Sequence, residues 1–206
     1  NHPHHMYNVG EHLMQCLLHT RADKSLRLAA LLHDIGKPQT RTTDADGTDH
    51  FHGHVEVSER MAAAILKRLK FDNDTITKVQ KYVKYHDYNA EPSAKAVRRA
   101  INKIGAEYFP QILELRRADT LAQSAYQQAE KLERIDAIAR LYDEIMEQQQ
   151  CVSLKTLEIT GNDLIALGVP KGKRIGAILA ELLDDVLQNP ENNTHDYLME
   201  EAKKLI

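Results

Sequence analysis

Histidine and aspartate side chains occupy positions where helical periodicity predicts buried apolar residues. His86 and Asp119 each continue an apolar series that repeats every three or four residues, and His12 lies within another such series. His33 and Asp34 end an otherwise apolar run. A buried carboxylate without a partner costs several kcal/mol or shifts its pKa. Several such side chains converging on one interior point therefore predict a site for divalent cations.

The donor types restrict the chemistry of that site. Histidine with aspartate favours one or two ions of Mn, Fe, Co, Ni or Zn, with Mg possible. A cysteine-rich ligand set is absent from the sequence, which argues against a closed structural zinc site. A cation with open positions would activate water and polarise a phosphoryl oxygen. Lys37 and Arg41 are then candidates for holding phosphate oxygens.

Simpler interpretations exist for every one of these residues taken alone. A single histidine on a helix face is usually a core or surface residue, and the His-Asp dipeptide is common. Convergence from several helices is what favours ligation for the group. The remaining residues of this kind keep the simpler interpretation: surface, loop or indirect support for His2, His4, His5, His19, His50, His52 and His195, a small core residue for Cys16, and a cap or surface group for Asp87.

Nearly every segment of the chain predicts a helix, so the expected fold class is all-α. Residues 38–53 are rich in Thr, Asp and Gly and predict a loop, in which a short hairpin is possible. Thr194 is a plausible N-cap for a last helix that reaches residue 205. The other predicted helices cover residues 8–19, 25–34, 56–70, 74–88, 93–104, 110–123, 124–149, 161–167 and 172–187.

Composition describes an ordinary globular chain of 206 residues with 42% hydrophobic residues and a net charge of -3. That charge does not favour attraction of the whole surface to nucleic acid, although local basic patches remain possible. The sequence contains neither a signal peptide nor a membrane span, and its two cysteines do not make a disulfide framework, so we expect a cytoplasmic protein without membrane partners. Because the chain opens with Asn1, we expect a processed protein or a piece of a longer one.

Composition changes near residues 148–150, where three glutamines follow one another. We expect one domain over residues 1–123 and a helical C-terminal region over 124–206, with a small helical unit from about residue 152. Lys171, Lys173 and Arg174 lie at the start of a predicted helix and are candidates for RNA contact. The alternative is a plain helical hairpin with a solvated basic end.

The candidate metal ligands, in their order along the chain, resemble those of the HD superfamily of metal-dependent phosphohydrolases, whose motif order is H…HD…D. The matching positions are His12, then His33 and Asp34 in LLHDIGKP, then Asp119 in RRADT. The two-metal branch of that superfamily adds two histidines between the HD pair and the last aspartate. The chain matches this branch at two positions, His54 in FHGHVEVSE and His86 in YHDY.

Longer segments resemble the C-terminal, HD-containing part of bacterial tRNA nucleotidyltransferases (CCA-adding enzymes and poly(A) polymerase relatives). The matching segments include HPHHMYNVGEHL, AALLHDIGKPQTRT and ITGNDLIALGVPKGKRIGAILAELLDDVL, and the match extends over essentially the whole chain. The resemblance implies an HD-domain helical bundle with a small C-terminal appendage. The nucleotidyltransferase head of that family is not among these 206 residues, so we expect no nucleotide addition by this chain alone.

The resemblance implies hydrolysis of 2′,3′-cyclic phosphates, 2′-nucleotides or phosphomonoesters on nucleotides or RNA ends through metal-activated water. Asp34 and Lys37 are the expected catalytic residues, with Asp34 bridging two metals and Arg41 assisting with phosphate. His12, His33 and Asp119 would complete one metal site, and His54 and His86 the other. In a single-metal alternative the last two histidines contact substrate phosphate. The alternative function is a tRNA-binding body with a structural or vestigial metal site.

Overall fold

The structure is a computed structural model that describes residues 8–206, and its architecture is an all-α bundle with one small two-stranded sheet, as predicted. No helix in the described part of the chain is both long and apolar enough to cross a membrane. The helices are α1 (Val9–Leu18), α2 (Lys24–Leu32), α3 (Lys37–Thr40), α4 (His54–Arg68), α5 (Asn73–Tyr85), α6 (Ala94–Ile104), α7 (Phe109–Leu121), α8 (Gln128–Glu147), α9 (Gly161–Ala166), α10 (Lys173–Gln188) and α11 (His195–Lys204).

The chain divides into two compact units, of which the first contains Glu107–Ala139 and the described residues up to Asn89. In this unit α2 packs against α1, α5 and α7, and α4 packs against α5. Polar caps start these helices: the side chains of Asn8, Asp23 and Asp72 accept hydrogen bonds from backbone N–H groups in the first turns of α1, α2 and α5. The core between the helices contains the buried side chains of Leu13, Cys16, Leu26, Ala29, Leu66, Val79, Val83, Ile112 and Leu115.

The segment predicted as a loop, residues 38–53, contains more regular structure than expected. Its first residues belong to α3, because Pro38 lies in the first turn of that helix, where a missing N–H costs nothing, rather than after a helix end. Strands β1 (Thr42–Thr43) and β2 (Asp49–His50) then pair antiparallel, so the structure contains the short hairpin that the sequence allowed. Helix α4 begins at His54, two residues earlier than predicted, directly after Gly53 in the left-handed conformation.

The second unit contains Ala90–Ala106 and Arg140–Ile206. Within it α10 packs against α6, α9 and α11, and two short 3-10 turns, Leu154–Thr156 and Pro190–Asn192, lie against α10. Its core consists of apolar side chains that include Leu157, Ile159, Leu164, Ile178, Leu182, Val186 and Leu198. The boundary between the units falls inside α8, and the domain division expected at residue 124 remains a proposal.

Candidate metal centre

Five separate segments of the first unit deliver the six predicted ligand side chains to one place. His12 lies in α1, His33 and Asp34 directly follow α2, and His54 is the first residue of α4. His86 directly follows α5. The side chains form two groups that share one carboxylate, and the potential ligand atoms of each group lie within 4.8 Å of one another: His12, His33, Asp34 and Asp119 of α7 in one, and Asp34, His54 and His86 in the other.

In the first group, two imidazole nitrogens face two carboxylate oxygens. His12 Nε2 lies 2.9 Å from Asp119 Oδ1 and 3.6 Å from Asp34 Oδ2. His33 Nε2 lies 3.5 Å from each of the same two oxygens. Four donor atoms of the types that transition metals prefer therefore surround one point.

In the second group, the other oxygen of Asp34 faces two further histidines. Asp34 Oδ1 lies 3.3 Å from His54 Nε2 and 3.7 Å from His86 Nε2. One oxygen of Asp34 thus belongs to each group, and the residue is 1% exposed, so its carboxylate is almost fully shielded from bulk water. This division of the two oxygens is the geometry expected of a bridging carboxylate between two metal sites.

All four histidines of the cluster are oriented in the same way. Each Nδ1 lies within hydrogen-bond distance of a backbone carbonyl: 3.3 Å from Ala122 for His12, and 2.7–2.9 Å from the carbonyl three residues earlier for the others. A carbonyl only accepts, so each Nδ1 donates its proton and the lone pair of the neutral ring lies on Nε2. Metal-ligating histidines are typically held in this way.

Within residues 8–206, three buried atoms of the cluster have no hydrogen-bond partner: His12 Nε2, His33 Nε2 and Asp34 Oδ1. Native proteins rarely leave buried polar atoms unsatisfied, because each costs about 1–3 kcal/mol. A cation coordinated by these lone pairs would satisfy all three, so the donor set fits a metal ion.

Residues that the sequence analysis did not single out hold Asp119 and the turn after His33 and Asp34 in place. Gln123 donates to Asp119 Oδ2 at 3.0 Å and is itself contacted by Lys131 at 2.9 Å, which turns Oδ1 toward the histidines. The spacing of four residues between Asp119 and Gln123 is a signal that could have found this pair. Gly36 donates to Ser58 Oγ at 2.9 Å, and a Cβ on Gly36 would meet the His54 carbonyl oxygen at 2.6 Å. Only glycine permits this contact between the turn and α4.

The basic residues expected to bind phosphate differ in their surroundings. Lys37 Nζ contacts Asp34 Oδ2 at 2.5 Å and therefore lies at the cluster. Arg41 is exposed and pairs with Asp49 at 2.9 Å. Arg174 donates to the carbonyl of Leu205 at 2.5 Å. Lys171 and Lys173, like Arg174, are exposed at the start of α10. The phosphate and RNA roles of these residues stay predictions.

The histidines interpreted as non-ligands lie away from the two groups wherever the structure describes them. His50 lies 2.9 Å from Asp44 and stacks on His52, His19 is exposed, and His195 lies 3.8 Å from Asp163. The interpretations of His2, His4 and His5 concern residues outside the described part. Cys16 is a buried core residue, as predicted, and burial raises the pKa of its thiol; Asp87 is exposed.

Electrostatics couple the histidines to the carboxylates. Burial opposes protonation of His12 and His86, but the negative charges of Asp119 and Asp34 outweigh it, so both pKa values are raised. Burial likewise raises the pKa of each aspartate, yet the neighbouring histidines, joined by Lys37 at Asp34, hold the pKa of both carboxyls well below the ordinary value. The histidines and the carboxylates of the cluster therefore favour each other's charged forms.

This coupling predicts how stability depends on pH. A raised histidine pKa gives stabilisation that is complete below about pH 6.5, the unfolded value, and is lost as pH rises through the folded pKa. The lowered aspartate pKa values act oppositely, giving stabilisation that is lost as pH falls below about 3.8. A metal competes with protons for Nε2, so metal should raise the melting temperature more at pH 8 than at pH 6, by about 2–4 °C for each kcal/mol of difference. Thermal melts with EDTA or Mn²⁺ measure this; equal metal effects at both pH values would contradict it.

Comparison with known proteins gives a consistent set of similarities. Residues 50–202 match the family model described as tRNA nucleotidyltransferase domain 2. The chain is 32% identical over 189 residues to the A-adding tRNA nucleotidyltransferase of Deinococcus radiodurans, which covers 87% of this chain and 43% of the relative. It is 30% identical over 187 residues to the CC-adding tRNA nucleotidyltransferase of Thermus thermophilus, which covers 87% of this chain and 41% of the relative. The chain thus spans about two fifths of the length of these curated relatives.

Proposed function

The chain belongs to the tRNA nucleotidyltransferase domain 2 family, and from that premise and the geometry of the cluster we propose that it is a metal-dependent phosphohydrolase of the HD type. Its substrates would be phosphoesters of nucleotides or RNA ends: a 2′,3′-cyclic phosphate, a 2′-nucleotide or a phosphomonoester. The order of the ligands along the chain, H…HD…H…H…D, supports this assignment.

The observation that carries the proposal is the division of the Asp34 carboxylate between two groups of ligand atoms. Oδ2 faces His12 and His33, while Oδ1 faces His54 and His86. A site that only stabilised the fold would be served by one closed set of four ligands. A second group of three donor atoms, joined to the first through Asp34, instead leaves coordination positions for water and substrate, as a two-metal phosphoesterase requires.

Each residue of the cluster has a defined part in this proposal. His12, His33 and Asp119 would hold one divalent ion, His54 and His86 the other, and Asp34 both. Such ions supply Lewis-acid polarisation of the phosphoryl group and a nucleophilic water at neutral pH. The carbonyl contacts of the four histidines keep Nε2 aimed at the ligand position, and Gln123 keeps Asp119 in place.

Lys37 would provide a positively charged ammonium group that binds the phosphate of the substrate. Its ammonium contacts Asp34 Oδ2 beside the first group, so the lysine lies where a phosphate would approach the ligands. When the charge of Asp34 is shared with cations, Lys37 loses part of its attraction to that carboxylate. The ammonium would then bind a phosphate oxygen and stabilise the negative charge that builds up as the ester bond breaks.

A second function, a tRNA-binding body, is favoured by the comparisons. The named relatives are tRNA nucleotidyltransferases, and neither name mentions hydrolysis, so the similarities support this function more directly than the first. In this case the chain would position RNA, with Lys171, Lys173 and Arg174 as candidate contacts, and the metal centre would be structural or vestigial. The two functions can coexist on one chain.

A substrate panel tests the first proposal. We expect the protein to release phosphate from, or open, at least one of a 2′,3′-cyclic nucleotide, a 2′-nucleotide and a phosphomonoester when Mn²⁺, Co²⁺, Ni²⁺, Zn²⁺ or Mg²⁺ is supplied. EDTA should abolish the turnover, and added metal should restore it. Chromatography of the products measures it, with tRNA binding measured on the same sample. Binding of tRNA without hydrolysis under any metal condition would support the second function and contradict the first.

A further inference from the structure

Arg116 is a partly buried arginine on α7 that lacks an acidic partner. Its one hydrogen bond is a 3.3 Å contact from Nη2 to Asn89 Oδ1, and it makes no salt bridge with a carboxylate among residues 8–206. A guanidinium stays charged in proteins, and burying a charge is costly unless an anion or several hydrogen-bond acceptors compensate. Arg116 is partly exposed, so the N–H donors that Asn89 does not use are open to solvent or to a ligand.

The neighbouring Arg117 shows that this state is specific to position 116. Arg117 is exposed and forms an ion pair with Asp136. Consecutive residues on a helix point about 100° apart, so the two side chains occupy different surroundings despite their shared chemistry. Among the described residues, Arg117 therefore has a carboxylate partner and Arg116 does not.

Arg116 also lies between two of the elements that carry the metal centre. It precedes Asp119 by three residues and so shares its face of α7. Its partner Asn89 follows His86 by three residues. Burial lowers the pKa of Arg116 most and the charge of Arg134 lowers it too, while Asp87 and Asp119 attract the guanidinium and raise the pKa.

We propose that Arg116 binds the phosphate group of the ligand that enters the metal centre. This inference deepens the proposed function and rests on it for the location of that ligand. A guanidinium presents parallel N–H groups that match two non-bridging oxygens of one phosphate, a geometry that an ammonium cannot supply. Arg41, the arginine expected from the sequence, already pairs with Asp49, whereas Arg116 has its donors available. The site would therefore select phosphate esters with two free oxygens over uncharged esters.

Binding of inorganic phosphate tests the inference separately from hydrolysis. Phosphate is titrated by calorimetry into metal-loaded wild-type protein and into the variants Arg116→Gln, Arg116→Lys and Arg117→Gln. We expect Arg116→Gln to weaken binding by about tenfold or more, the usual range for a lost charge-assisted pair. Arg116→Lys should weaken it less, and Arg117→Gln should match the wild type. Metal content and circular dichroism should be the same for all four proteins.

The outcomes separate this inference from the proposed function. Wild-type phosphate affinity in both Arg116 variants, or equal weakening by Arg117→Gln, would overturn the role of Arg116 whether or not the protein hydrolyses esters. Phosphate binding that depends on Arg116, in a protein that hydrolyses none of the panel, would support the anion-binding position and contradict the phosphohydrolase. Folding of Arg116→Lys keeps the test valid if the glutamine variant does not fold.

Discussion

Replacing Asp34 with asparagine is expected to remove bound metal and to reduce hydrolysis by at least about 100-fold, since even residues that only support metal ligands contribute about 10–100-fold. The side chain keeps its shape but loses the charge shared by both groups of ligands. An amide nitrogen also offers no lone pair to a metal, so one of the two groups loses its Asp34 ligand atom. Both metal sites should therefore fail together. Elemental analysis and the substrate panel measure the two effects.

A matched control for this change is Asp74→Asn. Asp74 is an exposed carboxylate on α5 whose partner is Lys78 at 2.7 Å, so the variant loses one negative charge outside the cluster. Its metal content and activity should equal those of the wild type. Wild-type metal content in Asp34→Asn would show that the ions bind elsewhere, and unchanged activity would show that the chemistry lies elsewhere.

Replacing His54 and His86 together with alanine is expected to lower bound metal from about two equivalents to about one, because the second group would lose two of its three ligands. The first group, built on His12, His33, Asp34 and Asp119, remains. Hydrolysis should fall steeply, by about 100-fold or more, since two-metal catalysis needs both ions. Metal counting under metal-replete conditions and single-turnover rates measure the outcome.

The matching control removes two other imidazoles. His50, at the end of β2, stacks on His52 with ring centroids 5.6 Å apart, and the double variant His50→Ala with His52→Ala should keep both metals and full activity. If the wild type and the His54/His86 variant both bind a single equivalent, the centre is mononuclear. These two histidines would then contact substrate phosphate, and the defect would appear in substrate binding.

Much of the candidate site followed from helical periodicity. His86 and Asp119 were predicted to point inward because they continue apolar series, and both lie in the cluster. The pattern works because a helix face is periodic and any polar residue on the core face needs a partner. Most helices were placed within a few residues for the same reason, and their caps Asn8, Asp72 and Thr194 are polar residues of the expected type.

Other features depended on contacts that one sequence does not reveal. The loop predicted from residue 38 onward begins instead with α3, whose first turn contains Pro38, after the chain turns at Gly36 to meet α4. The start of α4 at His54 depends on the left-handed Gly53 rather than on apolar periodicity. The sequence shows two consecutive arginines, Arg116 and Arg117, and only the structure shows that their partners differ. Such features are set by tertiary approach, which local propensity does not encode.

The most direct test of the metal centre is anomalous diffraction from crystals of the wild-type protein grown with Mn²⁺. We expect two peaks on either side of the Asp34 carboxylate, roughly 3.5–4 Å apart, one contacted by His12, His33 and Asp119 and the other by His54 and His86. Absence of any peak at the cluster, with Lys37 still against Asp34 and the histidine Nε2 atoms bonded to water, would contradict the account.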